Sequence, residues 1–131
     1  MPTLDQKRAA LAWAHGDTVK QYDKAEQKKY ASIVYSLPML VRSAGLSQAL
    51  HFVQARGNDT QKKFLDHLAK QLCRLDGGIT NAETLLKRVR EANLGEYLQF
   101  TQETLASANW YKRYVQGVLD IKQSEARDGE T

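Results

Sequence analysis

Apolar residues recur along this chain at intervals of three and four, the spacing that lines one side of an α-helix. Leu4, Leu11, Ala12, His15, Val19 and Tyr22 share a face in the first segment. Tyr30, Ile33, Val34, Leu37, Val41 and Ala44 form a second stripe, and Leu46, Ala49, Leu50 and Val53 a shorter third. Phe64, Leu65, Leu68, Leu72 and Leu75 follow, then Leu85, Leu86 and Val89. The last stripe is the longest: Leu98, Thr101, Leu105, Ala108, Val115 and Leu119. The pattern predicts an all-α, single-domain bundle of about six helices.

The polar punctuation agrees. Arg56-Gly57-Asn58-Asp59-Thr60 is a loop whose last side chains can cap a helix. Asp76-Gly77-Gly78 is a flexible break, and Asn93-Leu94-Gly95 separates the fifth helix from the sixth. Thr80 with Glu83 has the spacing of a capping box, in which two side chains satisfy each other's orphan backbone donors. Residues 1–122 read as the helical domain. The tail 123–131 has no apolar period and is expected to be disordered.

Two breakers fall inside the apolar stretch SLPMLVRSAGLSQALHF, residues 36–52. Pro38 lacks an amide hydrogen and crowds the carbonyl of Val34, so it predicts a kink in the second helix. Gly45 stands where that stripe ends. Glycine takes the positive φ that closes a helix, and Ser47 is positioned to cap the next one. The final helix, read from Gly95 to Lys122, would be about 40 Å long at ~1.5 Å per residue. It carries a second line of Trp110, Tyr114, Gly117 and Ile121, which makes it the central post of a bundle. Trp13, Trp110 and Tyr114 are read first as core and second as candidates for a subunit interface.

Composition narrows the function. Of 131 residues, 42% are hydrophobic, enough for one core. No run approaches the roughly 18 apolar residues of a membrane span. The charged, helix-patterned N-terminus lacks the apolar stretch of a secretory signal. With a single cysteine, Cys73, no intrachain disulfide or cysteine-based zinc site can form, and a reducing cytoplasm is the expected compartment.

Chemistry is sparse. His15, His51 and His67 lie on three predicted helices without metal-ligand spacing, so no metal and no cofactor is expected. No phosphate loop or nucleophile elbow occurs. Cys73, between Leu72 and Leu75, reads as a buried small hydrophobe. The expectation is a protein that is not an enzyme.

The formal net charge is +4, and its distribution is more telling. Arg42, Arg56, Lys62, Lys63, Lys70 and Arg74 face only Asp59 and Asp66 over residues 42–75. Lys87, Arg88 and Arg90 form a second cluster, and Lys112-Arg113 a third. Three clusters on one small domain point to a basic surface for a polyanion. In NWYKRY, residues 109–114, aromatic and basic side chains alternate. On a helix these six spread around the circumference, which turns the aromatics inward and the cations outward.

Two of these stretches carry a family resemblance. YSLPMLVRSAGLSQALHFVQARG (35–57) and NLGEYLQFTQETLASANWYKRYVQGVL (93–119) resemble the small all-helical subunit of the type III-B CRISPR effector, the Cmr complex. The order and spacing of LP, GL..AL.F and W.KR match, and the resemblance covers nearly the whole chain except its tail. It implies a non-catalytic subunit that stacks with copies of itself into a filament beside the backbone subunit. There it would help accommodate guide RNA and target RNA, with cleavage left to the backbone subunit. It also implies Arg42, Lys112 and Arg113 as RNA-facing residues. Lys63, Lys87, Arg88 and Arg90 join them on charge clustering alone. Two other readings fit the same residues: a helical adaptor that binds only protein, or the equivalent small subunit of a related CRISPR effector.

Overall fold

Helix starts are set by side chains that accept the first free backbone amides. The computed structural model describes residues 1–126. They form α1 (Leu4–Val19), α2 (Lys24–Ala44), α3 (Leu46–Arg56), α4 (Asp59–Leu72), α5 (Ala82–Arg90), α6 (Leu94–Gly117) and α7 (Gln123–Ala126). Capping boxes open α1 (Thr3/Gln6), α4 (Asn58/Gln61), α5 (Asn81/Thr84) and α6 (Asn93/Glu96). Each such cap is worth about 1 kcal/mol.

Three boundaries differ from the sequence reading. The box at α5 lies one residue later than Thr80/Glu83: Asn81 Oδ1 accepts from Thr84 N at 2.9 Å. Asp66 of α4 fixes this start by accepting from Ala82 N at 2.7 Å. Ser47 does not cap α3. Gly45, at φ 88° and ψ 159°, joins α2 directly to α3, and the hydroxyl of Tyr97 on α6 accepts from Ser47 N at 3.0 Å. The last long helix stops at Gly117, about 36 Å from its start. Asp120, at φ 56°, turns the chain, so Leu119 and Ile121 become buried and α7 follows. The first four residues of the expected tail are therefore helical, with Ala126 buried, while 127–131 lie outside the described residues. The helix containing Pro38 is continuous from Lys24 to Ala44.

Pairwise contacts give the directions. Arg8 meets Glu103 and Asp17 meets Tyr114, so α1 runs with α6. Glu26 meets Thr60 and Tyr30 meets His67, so α2 runs with α4. Lys24 at the start of α2 meets Leu119 just past the end of α6, and Ser47 just past the end of α2 meets Tyr97 near the start of α6, so α2 runs against α6.

The predicted stripes of α3 and α5 are wholly buried. That of α6 is not, and Leu98 is 54% exposed. Ala108, Val115 and Leu119 of that stripe are buried, and the inward face is completed by Phe100, Glu103, Thr104, Ser107, Tyr111 and Tyr114. Ala44 and Leu75 likewise lie outside, as does Leu4. A reading based on apolar spacing cannot find a face built largely from polar and aromatic residues.

Glu103 is 4% exposed and must be neutralised. Arg8 Nε and Nη2 donate to its two oxygens at 2.7 and 2.9 Å, Arg74 Nη2 at 3.0 Å and Ser107 Oγ at 2.9 Å. Burial would raise the pKa of this carboxyl, but the bonds from Arg8 and Ser107 outweigh it and hold it below the usual glutamate value. Beside it, Gln71 Nε2 donates to the Arg8 carbonyl and to the Tyr111 hydroxyl. Among the described residues, no side-chain polar atom fully closed off from solvent lacks a partner.

Two histidines that look isolated in sequence are brought together. His15 and His67 stack with ring centroids 4.1 Å apart. His15 Nδ1 pairs with the Tyr111 hydroxyl at 2.7 Å and His67 Nδ1 with the Tyr30 hydroxyl at 2.6 Å. Burial, aided by the charge of Lys70, lowers the pKa of His15 to about 4. Burial, with His15 and Lys63, lowers that of His67 to about 3. Cys73 is only partly buried, at the end of α4, and not a core residue as expected.

Three measurements check this interior. A Cβ on Gly16 would lie 2.5 Å from the Tyr114 ring, so Gly16→Ala should cost about 1–3 kcal/mol in urea unfolding. Glu103→Gln strands Arg8 and Arg74 and should cost about 3 kcal/mol in the same assay. Both histidine pKa values are depressed on folding, so the unfolded chain binds more protons below about pH 6.5. Stability should be full above that pH and fall as pH drops toward about 4 and 3. The urea midpoint should decline between pH 7 and pH 5, and decline less in the His15→Gln/His67→Gln variant.

Candidate nucleic-acid interface

Because α2 and α6 run antiparallel, residues far apart in sequence meet along their seam. Tyr35 donates its hydroxyl to the Ile121 carbonyl at 2.7 Å and closes one end. The seam opens into a groove of about 240 Å³ lined by Tyr35, Pro38, Met39, Arg42, Leu105 and Lys112. Arg42 projects from the last turn of α2 and Lys112 from the second half of α6. Among the described residues neither has an ion-pair or hydrogen-bond partner. Their charges remain available to solvent or to a polyanion.

Arg113 stands on the adjoining face of α6. It is exposed and lines a second groove, of about 320 Å³, with Asp5, Ala106, Asn109 and Trp110. Asn109 borders both grooves, so Lys112 and Arg113 flank one ridge. Asp5 tempers the second groove, although it already accepts from Trp110 Nε1 at 3.0 Å.

The α5 cluster is dispersed. Arg88 Nε donates to Asp76 at 2.7 Å, and its Nη2 bonds Glu96. Its guanidinium also lies 5.3 Å from the Phe100 ring centroid. Bonds from Glu96 and Asp76 raise the Arg88 pKa. This charge ties the 76–78 loop and the start of α6 to α5, and the structure withdraws Arg88 from the free cations. The carboxylates responsible sit 12 residues before it and 8 after. Lys87 is 4.0 Å from Glu91, and Arg90 Nη1 is 3.0 Å from His51 Nε2. Lys63 lies over the Tyr22 ring at 5.6 Å. None of these four lines either groove of α6.

The interface aromatics also divide. Tyr114 is 1% exposed, packs on Gly16 and donates to Asp17 at 2.6 Å, so it belongs to the core and not to a surface. Its burial follows from the absent side chain at Gly16. Trp13 remains 37% exposed and meets the partly buried Trp110 edge-on, with centroids 6.4 Å apart.

The sequence reading missed Met39, which is 63% exposed in the groove beside Arg42. Its position off the α2 stripe was the available signal. Among the described residues no three His, Cys, Asp or Glu side chains are grouped to hold a metal ion. No helix among them is long and apolar enough to cross a membrane.

Comparison with known proteins gives one consistent result. The profile of a family described as CRISPR-associated protein (Cas_Cmr5) matches residues 4–118. The chain is similar to the CRISPR system Cmr subunit Cmr5 of Thermus thermophilus, with 39% identity over 121 residues, 92% of this chain and 99% of the relative. It is also similar to a crystal structure of a CRISPR-associated Cmr5 family protein from Thermus thermophilus. That likeness has a TM-score of 0.75 and 35% identity, and covers 89% of this chain and 98% of the other.

Proposed function

Since the chain belongs to the Cmr5 family of CRISPR-associated proteins, the small subunit of the type III-B effector, we propose that it is a non-catalytic spacer. Copies stack beside the backbone subunit and support guide and target RNA that another subunit cuts. The membership sets aside the small subunit of a related effector.

One observation carries the RNA part of this reading: Arg42 and Lys112, 70 positions apart, share an open groove and have no ion-pair partner among the described residues. A filament that accompanies a duplex of any sequence needs phosphate contacts and no base code. Two or three such contacts per copy bind weakly in isolation and add up only when copies are arrayed. Arg113 extends the same ridge. Lys63, Lys87 and Arg90 are secondary contacts on other faces. Trp13 and Trp110 favour a protein-binding reading, in which their exposed pair meets another subunit.

The variant Arg42→Glu/Lys112→Glu/Arg113→Glu, assembled with the other subunits and guide RNA, separates the two readings. Assembly should be retained, target-RNA affinity should fall, and the salt slope should shrink by about 0.7–0.9 per lost phosphate contact. Unchanged affinity and slope in an intact complex would exclude these residues. Failed assembly would assign the groove to a subunit contact.

A further inference from the structure

A different face of α2 bears another opening, of about 310 Å³, bounded by the end of α3 and the start of α4. Ile33, Leu40 and Val53 supply apolar walls. Phe52 borders it while 49% exposed, and the Arg56 guanidinium, one turn on, lies 5.6 Å from its ring centroid. Ser32 is 4% exposed and lines the opening, yet among the described residues its hydroxyl has no hydrogen-bond partner. The Ser36 hydroxyl is also unpartnered there. Gln61 also lines the opening; its Oε1 accepts from Asn58 N in the α4 cap, and among the described residues its amide nitrogen has no hydrogen-bond partner.

We propose that this opening holds one unstacked nucleobase of the bound RNA, with a neighbouring phosphate on Arg56. The proposal rests on the reading that the subunit meets RNA, but uses none of the three cations assigned above. An aliphatic side chain from a partner protein would seal the Ser32 and Ser36 hydroxyls and the Gln61 amide away from water without partners, which is unfavourable. A base offers an aromatic face to Phe52 and donors and acceptors along its edge to those three groups. An arginine already stacked on the ring adds the charge that a nucleotide needs and an aliphatic knob does not. Stacking tolerates every base, so the site reads the presence of a base and not its identity.

The test is a coupling cycle in the assembled complex with guide RNA. Single abasic nucleotides are scanned along the target, against native protein and Phe52→Leu, with Arg56→Gln as a second variant in case Phe52→Leu melts early. At an occupied position, native complex should lose roughly ten-fold in affinity, and the same abasic nucleotide should cost markedly less in the Phe52→Leu complex. The same coupling should persist when Arg42, Lys112 and Arg113 are all Glu. Losses that multiply at every position would overturn the base site, whether or not the cation variant weakens binding. Impaired assembly by Phe52→Leu without target RNA would also overturn it and would assign the opening to a protein side chain.

Discussion

One carboxylate, removed from water in the middle of the longest helix, organises this bundle. Glu103 needs positive partners, and among the described residues the only ones that reach it come from α1 and from the turn that follows α4. The bidentate bond from Arg8 and the single bond from Arg74 fix both helices in register on α6. An apolar seam of the same area would tolerate sliding by a turn. A buried charge does not, because every slipped register leaves it uncompensated.

The same register brings the remaining polar interior into place. Tyr111, two turns beyond Glu103, meets His15 and Gln71, and the stacked histidines then reach Tyr30 on α2. Further along, Gly16 lets α1 approach until the Tyr114 ring occupies the space of a missing side chain. The interior is thus held by directional contacts as much as by leucine packing. Directional contacts are sensitive to pH and to small changes of shape.

What remains outside is sorted by the same electrostatics. Cations within reach of a carboxylate, Arg8, Arg74 and Arg88, hold helices and loops together. Arg42 and Lys112, which have none among the described residues, line the groove between α2 and α6. The proposed spacer role would use both kinds: a core stiff enough to keep neighbours evenly placed, and a surface whose attraction is diffuse. The opening beside Phe52 adds an aromatic feature on another face of α2, so one helix contributes to two separate surfaces.

Much of this was legible in the chain. Period marked the helices, two of the predicted breaks held the asparagines that cap α4 and α6, and Gly45 marked a joint that only glycine accepts at φ 88°. The family motifs around Pro38 and Trp110 were local as well, because the first spans only α2 and the directly joined α3 and the second lies within α6. Other features depended on residues distant in sequence. Nothing near Arg88 in its helix announces Asp76 and Glu96 as its partners, and nothing near His15 announces His67. The polar part of the buried face of α6 escaped, whereas Ala108 and Val115 did not, because Glu103, Ser107 and Tyr111 look like surface residues until their partners arrive. Sequence period reports what water would exclude from one helix, whereas the pairing of charges and polar groups is decided only when several helices close around them.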